Sequence, residues 1–151
     1  MCRARSASPG SGGYGRWVAQ AFGVLIDHHF RSVEASIDGG PTRQAAMVVV
    51  QNTLSYGGLF TLSPQARLDS GQLEVVWVHA NTMRDLVRLL AHAGFQRMHH
   101  DKQVKIERGT HVKIRARHPT AVQADGDPAG TTDIDIRLLP DAMQLLRAPQ
   151  P

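Results

Sequence analysis

From position 31 onward the chain keeps returning to a period of two. Val33, Ala35 and Ile37 alternate with Ser32, Glu34 and Ser36. Successive side chains of a strand point to opposite faces, so this pattern buries one face and leaves the other wet. The period recurs where Val104 and Ile106 flank Lys105, where Val112 and Ile114 flank Lys113, and through Ile134, Ile136 and Leu138. Gln44–Asn52 and Leu73–Val78 are more continuously apolar and read as more deeply buried strands. Asp38-Gly39-Gly40-Pro41 and Gly109 mark turns. Ala121–Ala124 is a short strand, and Met143–Leu146 closes the set. Runs of about eight short strands without alternating helices predict a mainly β chain, a two-layer antiparallel β-sandwich.

One stretch breaks the period. Thr82 and Asp85 form a capping-box pattern, and Met83, Leu86, Val87 and Leu90 follow at helical spacing. Gly94 supplies a stop. The spacing predicts one well-formed helix over about 82–93. A second, short N-terminal helix is expected over Arg16–Phe30, from Trp17, Ala21, Val24, Leu25 and His28. Residues 1–15, rich in Ser, Gly, Pro and Arg, read as a disordered lead-in to a domain spanning 16–151. Aromatic residues make up only 5% of the chain, so the core has to be aliphatic. No apolar run has the length of a membrane-spanning helix. The single cysteine, Cys2, excludes an internal disulfide framework, and a cytoplasmic location is the expectation.

The formal net charge is +4, and it is unevenly spread. Arg97–His118 holds seven Lys and Arg residues against Asp101 and Glu107, a local excess of +5. A basic ribbon of this kind suits an anionic membrane, a phosphate or a nucleic acid; the alternative is a solvated outer face. Two turns could carry chemistry. Asp125-Gly126-Asp127-Pro128 projects two carboxylates beside a glycine, as a general base or a cation site needs, or is an ordinary Asp-Gly hairpin turn. Asp69-Ser70-Gly71 has the same two readings. The adjacent pairs His28-His29 and His99-His100 diverge on any regular element and make no chelate. Neither Gly12-Gly13-Tyr14-Gly15 nor Gly57-Gly58 is followed by the Lys-Ser/Thr of a phosphate loop.

Read in order, these pieces resemble the C-terminal domain of the diacylglycerol kinase-like lipid kinases, the YegS group. Asn52, then Gly57-Gly58, then Leu62-Ser63-Pro64-Gln65-Ala66 looks like the family's Asn-Gly…Gly-Gly-Gly…Pro-x-Ala stretch. Leu68-Asp69-Ser70-Gly71-Gln72-Leu73 is similar to its Asp-Asp-Gly-Leu-Leu turn. Val122-Gln123-Ala124-Asp125-Gly126-Asp127-Pro128 looks like its Val-x-x-Asp-Gly-Glu-Pro motif, and Leu139-Pro140-Asp141-Ala142 resembles its closing strand.

The resemblance implies an ATP-dependent transfer of a phosphoryl group to a lipid hydroxyl such as that of diacylglycerol. It implies Asp127 as the acceptor-side catalytic base, and Asn52, Gly57 and Gly58 near the cofactor. It also implies a Mg²⁺ turn over Arg67–Gln72, with Asp69 and Ser70 at its acidic positions and Arg67 and Gln72 contributing backbone. ATP and Mg²⁺ are the implied cofactors. The family's Gly-Gly-Asp-Gly-Thr nucleotide loop has no counterpart, so ATP is not expected to bind this chain alone. A separate nucleotide-binding half or a second copy is then an implied partner, besides a lipid substrate and an anionic membrane at the inner face. Nucleic acid is the disfavoured partner. The rival reading is a non-catalytic basic module that binds anionic membrane or nucleic acid. The chain departs from the family pattern at Asp127, where the motif has Glu, at Ser70, where it has Asp, and at Thr53 and Leu59, where it has Gly.

Overall fold

The computed structural model describes residues 32–56, 60–80, 82–94, 97–125 and 127–142. The expected lead-in, the N-terminal helix, Gly57-Gly58, Gly126 and Met143–Leu146 lie outside the described residues. The chain runs through β1 (Val33–Ile37), β2 (Arg43–Ala45), β3 (Met47–Gln51), β4 (Ser55–Tyr56), β5 (Phe60–Thr61) and β6 (Leu73–Val78). Helix α1 (Met83–Gly94) and a 3₁₀ turn (Met98–His100) follow. Then come β7 (Val104–Gly109), β8 (His111–Ala116), β9 (Ala121–Ala124), β10 (Asp127–Thr131) and β11 (Ile134–Arg137). Every described strand pairing is antiparallel.

Two sheets pack face to face, one in the order β11-β8-β1-β2 and the other in the order β3-β6-β7. Their shared core takes Val33 and Ala35 from β1, Ala45 from β2, and Val112 and Ile114 from β8. Leu73, Val75 and Trp77 come from β6 on the opposite side. The sandwich expected from the alternation is therefore the observed one. Strand β6 is buried along its whole length because it is covered twice. Its odd-numbered residues fill the sandwich core. Val76 and Val78 point the other way, into a second cluster with Leu62, Leu89 and Met98. Apart from Glu74, β6 is apolar, as a strand buried on both faces requires.

The expected strand over 44–52 is split in two. At Ala46, whose N–H donates to the Val78 carbonyl at 2.9 Å, the chain leaves one sheet for the other. The same crossing happens at Gly109–Thr110. Asp38, at φ +50°, caps that corner: its carboxylate accepts from the Thr110 N–H at 3.0 Å, the Thr110 hydroxyl at 3.0 Å and the His111 N–H at 2.8 Å. A β-carbon at Gly109 would meet the Ile37 side chain and lie 2.7 Å from the Asp38 carboxylate. Glycine at 109 is thus demanded by close approach.

That crossing corrects the basic ribbon. β7 and β8 are consecutive but belong to different sheets, so their charges do not share a face. Many are also paired. Lys105 and Arg43 both reach Glu107, Arg108 reaches Glu74 at 2.7 Å, and Arg115 lies 3.6 Å from Asp133.

The helix corrects a second expectation. Its cap forms as read: the Asp85 N–H donates to the Thr82 hydroxyl at 3.2 Å, and the Thr82 N–H donates back to Asp85 at 3.1 Å. Among its described side chains, however, Leu89 is buried while Met83 and Val87 are 48% and 60% exposed; the side chains of Leu86 and Leu90 lie outside the description. Asp101 is buried beside the helix. Arg88 donates to both its oxygens, at 2.9 and 3.2 Å, and His92 Nδ1 lies 3.0 Å away. A buried carboxylate needs such partners, and Arg88, itself exposed, and His92 supply them beside the buried Leu89.

Candidate functional site

The chain's third motif lies on a hairpin that belongs to neither sheet. β9 and β10 pair with each other, Asp127 opposite Ala124 and Pro128 opposite Gln123, with a bulge before Thr131. The turn bends at Asp125, which sits at φ +51°, a left-handed conformation that Asp tolerates better than most residues. Every residue of β10 is exposed. Asp127-Pro128-Ala129-Gly130-Thr131 has no buried face, so no alternation in its sequence marks it as a strand. Pro128 fixes its own φ and disfavours helical geometry at Asp127, which defines the backbone from which the carboxylate projects. Among the described residues the Asp127 carboxylate makes no ion pair. Asn52 lies half-buried just past the end of β3, while Gly57 and Gly58 fall outside the described residues.

The Arg67–Gln72 turn is tightly closed. The Arg67 guanidinium donates to both oxygens of Asp69, each at 2.9 Å. This pairing pushes the Arg67 pKa up. The Ser70 hydroxyl lies 2.8 Å from the Arg67 carbonyl and 3.1 Å from the Gln72 carbonyl, and accepts the Gln72 N–H at 3.2 Å. The Ser70 N–H also donates to the Arg67 carbonyl, at 3.3 Å, and Gly71 carries the left-handed φ of +66°. Magnesium needs oxygen ligands at about 2.0–2.1 Å in octahedral array. Here the two carbonyls that would ligate it converge on a hydroxyl, and the one carboxylate of the turn faces a guanidinium. The turn as folded does not fit the ion. Among the described residues no group of three or more His, Cys, Asp or Glu side chains could hold a metal.

Sequence reasoning missed one polar cluster next to this turn. Gln51, Glu74 and Arg108 stand side by side across β3, β6 and β7, on the face that carries the helix-side core. The Ser63 hydroxyl donates to Glu74 at 3.1 Å, Arg108 Nε donates to it at 2.7 Å, and Arg108 Nη2 donates to Gln65 at 2.8 Å. The Ser63-Pro64-Gln65-Ala66 motif is therefore anchored at both ends. Ser63 binds a carboxylate inside the protein, and Ala66 is buried. The signal was present in the sequence as a lone Glu within the apolar run Leu73–Val78. The amide of Gln51 is buried, and neither its nitrogen nor its oxygen has a hydrogen-bond partner among the described residues.

The sequence matches the family described as "YegS C-terminal NAD kinase beta sandwich-like domain" over residues 8–147. The chain belongs to this family. The YegS-type C-terminal fold also appears in solved structures from Bacillus anthracis str. Sterne. One, of a diacylglycerol kinase, superposes with a TM-score of 0.62 at 16% identity, covering 84% of this chain and 45% of that one. Two more, of a candidate diacylglycerol kinase, each give a TM-score of 0.61 at 19% identity over 77% of this chain. They are covered to 38% and 40% of their own length. At these identities the likeness shows the fold. The chain spans less than half the length of these structures. No curated protein matches the chain by sequence.

Proposed function

We propose that this YegS-type domain forms the acceptor side of an ATP-dependent lipid kinase, with Asp127 as the base that takes the proton from the lipid hydroxyl. One observation carries the reading: the family motif sets Asp127 on an exposed hairpin outside both sheets, with no ion pair among the described residues. A lipid hydroxyl is a weak nucleophile near neutral pH. A carboxylate within hydrogen-bond reach accepts its proton as the oxygen bonds to the γ-phosphorus of ATP and the bond from that phosphorus to ADP breaks. The phosphoryl donor, ATP with its Mg²⁺, would come from a nucleotide-binding half, and Asn52 is the described residue nearest in sequence to that side of the motif set. The 151 residues alone are then inactive. The domain would work peripherally at the inner face of a membrane, where exposed Lys113 of β8 and Arg117 just past its end meet anionic lipid.

The test pairs the chain with a nucleotide-binding domain of the family. Asp127→Asn should lower kcat by about 10² to 10⁴, the range for losing a general base. Asp127→Glu should retain activity. A turnover unchanged by Asp127→Asn would refute the assignment. Sedimentation with vesicles tests the membrane side: the chain should bind anionic vesicles, release at high salt and ignore neutral ones. Stronger retention on duplex DNA than on anionic vesicles would favour the nucleic-acid module instead.

A further inference from the structure

We infer that the Arg67–Gln72 turn is a metal-independent latch, in which the Ser70 hydroxyl does the work that a divalent cation would do. The inference rests on the likeness of this turn to the family's metal turn, and it holds whether or not the chain takes part in phosphoryl transfer.

A cation in such a turn has one mechanical task, which is to draw backbone carbonyls together against their mutual repulsion. Ser70 Oγ is already placed between the two carbonyls concerned, 2.8 Å from that of Arg67 and 3.1 Å from that of Gln72. A hydroxyl has one proton and two lone pairs. Its proton goes to the nearer carbonyl, that of Arg67, and a lone pair accepts the Gln72 N–H at 3.2 Å. One side chain thus ties the first residue of the turn to the last. The Ser70 N–H adds a second tie to the Arg67 carbonyl.

Charge points the same way. A cation site gathers negative charge, but this turn is locally neutral. Asp69 is its only carboxylate, and Arg67 covers both of its oxygens from two residues away. An incoming Mg²⁺ would have to share or take the carboxylate of a guanidinium held by two hydrogen bonds, and sit beside that cation. Electrostatic repulsion and lost hydrogen bonds both oppose that exchange. The latch also lies where a closed turn matters. Gln72 leads directly into β6, whose second residue, Glu74, holds Ser63 and Arg108.

Thermal melting of the full chain tests the inference without any kinase assay. A cation that binds only the folded chain raises its melting temperature by mass action. The wild type should therefore melt at the same temperature in EDTA and in millimolar MgCl₂. Ser70→Ala should lower the melting temperature by about 2–4 °C, equally in both buffers. Ser70→Thr, which keeps the hydroxyl, should melt with the wild type and guards against a general intolerance of substitution. A wild-type melting temperature that rises in MgCl₂, with the rise abolished by Asp69→Asn, overturns the inference. So does a Ser70→Ala variant that melts with the wild type.

Discussion

Strand β6 and the β9–β10 hairpin are both short antiparallel segments, yet one is buried along its whole length and the other is almost wholly exposed. β6 is held by its surroundings, with a strand on each side, a sheet against one face and a helix against the other. The hairpin is held by local chemistry: Asp125 in a left-handed turn, Pro128 with a fixed φ and a bulge before Thr131. The contrast separates two jobs. The sandwich supplies rigidity and tolerates little change. The hairpin exposes a carboxylate and buries almost nothing.

The largest expected effect lies in the core. Trp77 is 2% exposed between the two sheets, and Trp77→Ala should cost about 3–5 kcal/mol in urea unfolding. A loss no larger than that of a surface substitution would break the contrast. Next comes the corner where the chain changes sheets. Gly109→Ala should cost about 1–3 kcal/mol, since the new methyl runs into Ile37, a side chain stiff at its branched β-carbon. Unfolding of this variant in denaturant reads that cost directly.

Asp101 gives an effect of similar size that depends on pH. Burial acts to raise its pKa, but hydrogen bonds from Arg88 and the Gln103 N–H, with the charges of Arg88 and His92, bring it below the ordinary carboxylate value. A carboxyl depressed in the folded state binds its proton more readily when unfolded. It stabilises the fold fully above the unfolded pKa of about 3.9 and loses that contribution as pH falls through the lower folded value. Asp38, Glu107 and Asp135 are lowered as well, Asp38 chiefly by the Thr110 N–H, Glu107 by Lys105 and Asp135 by Arg137. Melting temperature should therefore drop in acid below about pH 4. Asp101→Asn should lower stability at neutral pH and make the acid decline shallower. An unchanged acid decline in that variant would remove Asp101 from the set.

The smallest effect completes the comparison. Asp127→Asn should change unfolding stability by no more than about 0.5 kcal/mol, as befits an exposed residue outside the core. A larger loss, measured by the same urea titration, would mean that the hairpin is structural and would weaken its reading as a presented site.

Much of the architecture was legible in residues alone. The alternation Val33, Ala35, Ile37 marks one buried face, and those three residues do face the core or pack against it. The Thr82–Asp85 cap starts the helix where it was read. The motif residues Arg67, Asp69, Ser70 and Gln72 do meet in one turn, but what they do there was not legible. A sequence names the groups in a turn, whereas the direction of a hydroxyl and the reach of a guanidinium depend on the folded backbone. Asp127 was legible as a turn carboxylate, and the strand that begins with it was not, because β10 buries nothing.

By itself, then, the sequence determined which residues share a face, where the one described helix begins, and which turns need glycine or aspartate. These depend on period, capping and backbone geometry, all of which act within a few residues. Only the tertiary structure decided which sheet each strand joins, how α1 is rotated and where the charges end up. β7 and β8 are neighbours in the chain, yet the corner clamped by Asp38 sends them to different sheets and scatters a basic run that looked continuous. Leu89 is buried while Met83 and Val87 are exposed, and its neighbour Arg88 reaches the buried Asp101 from 13 residues away. Both outcomes turn on contacts between distant residues, and a local pattern has no means of ranking those contacts.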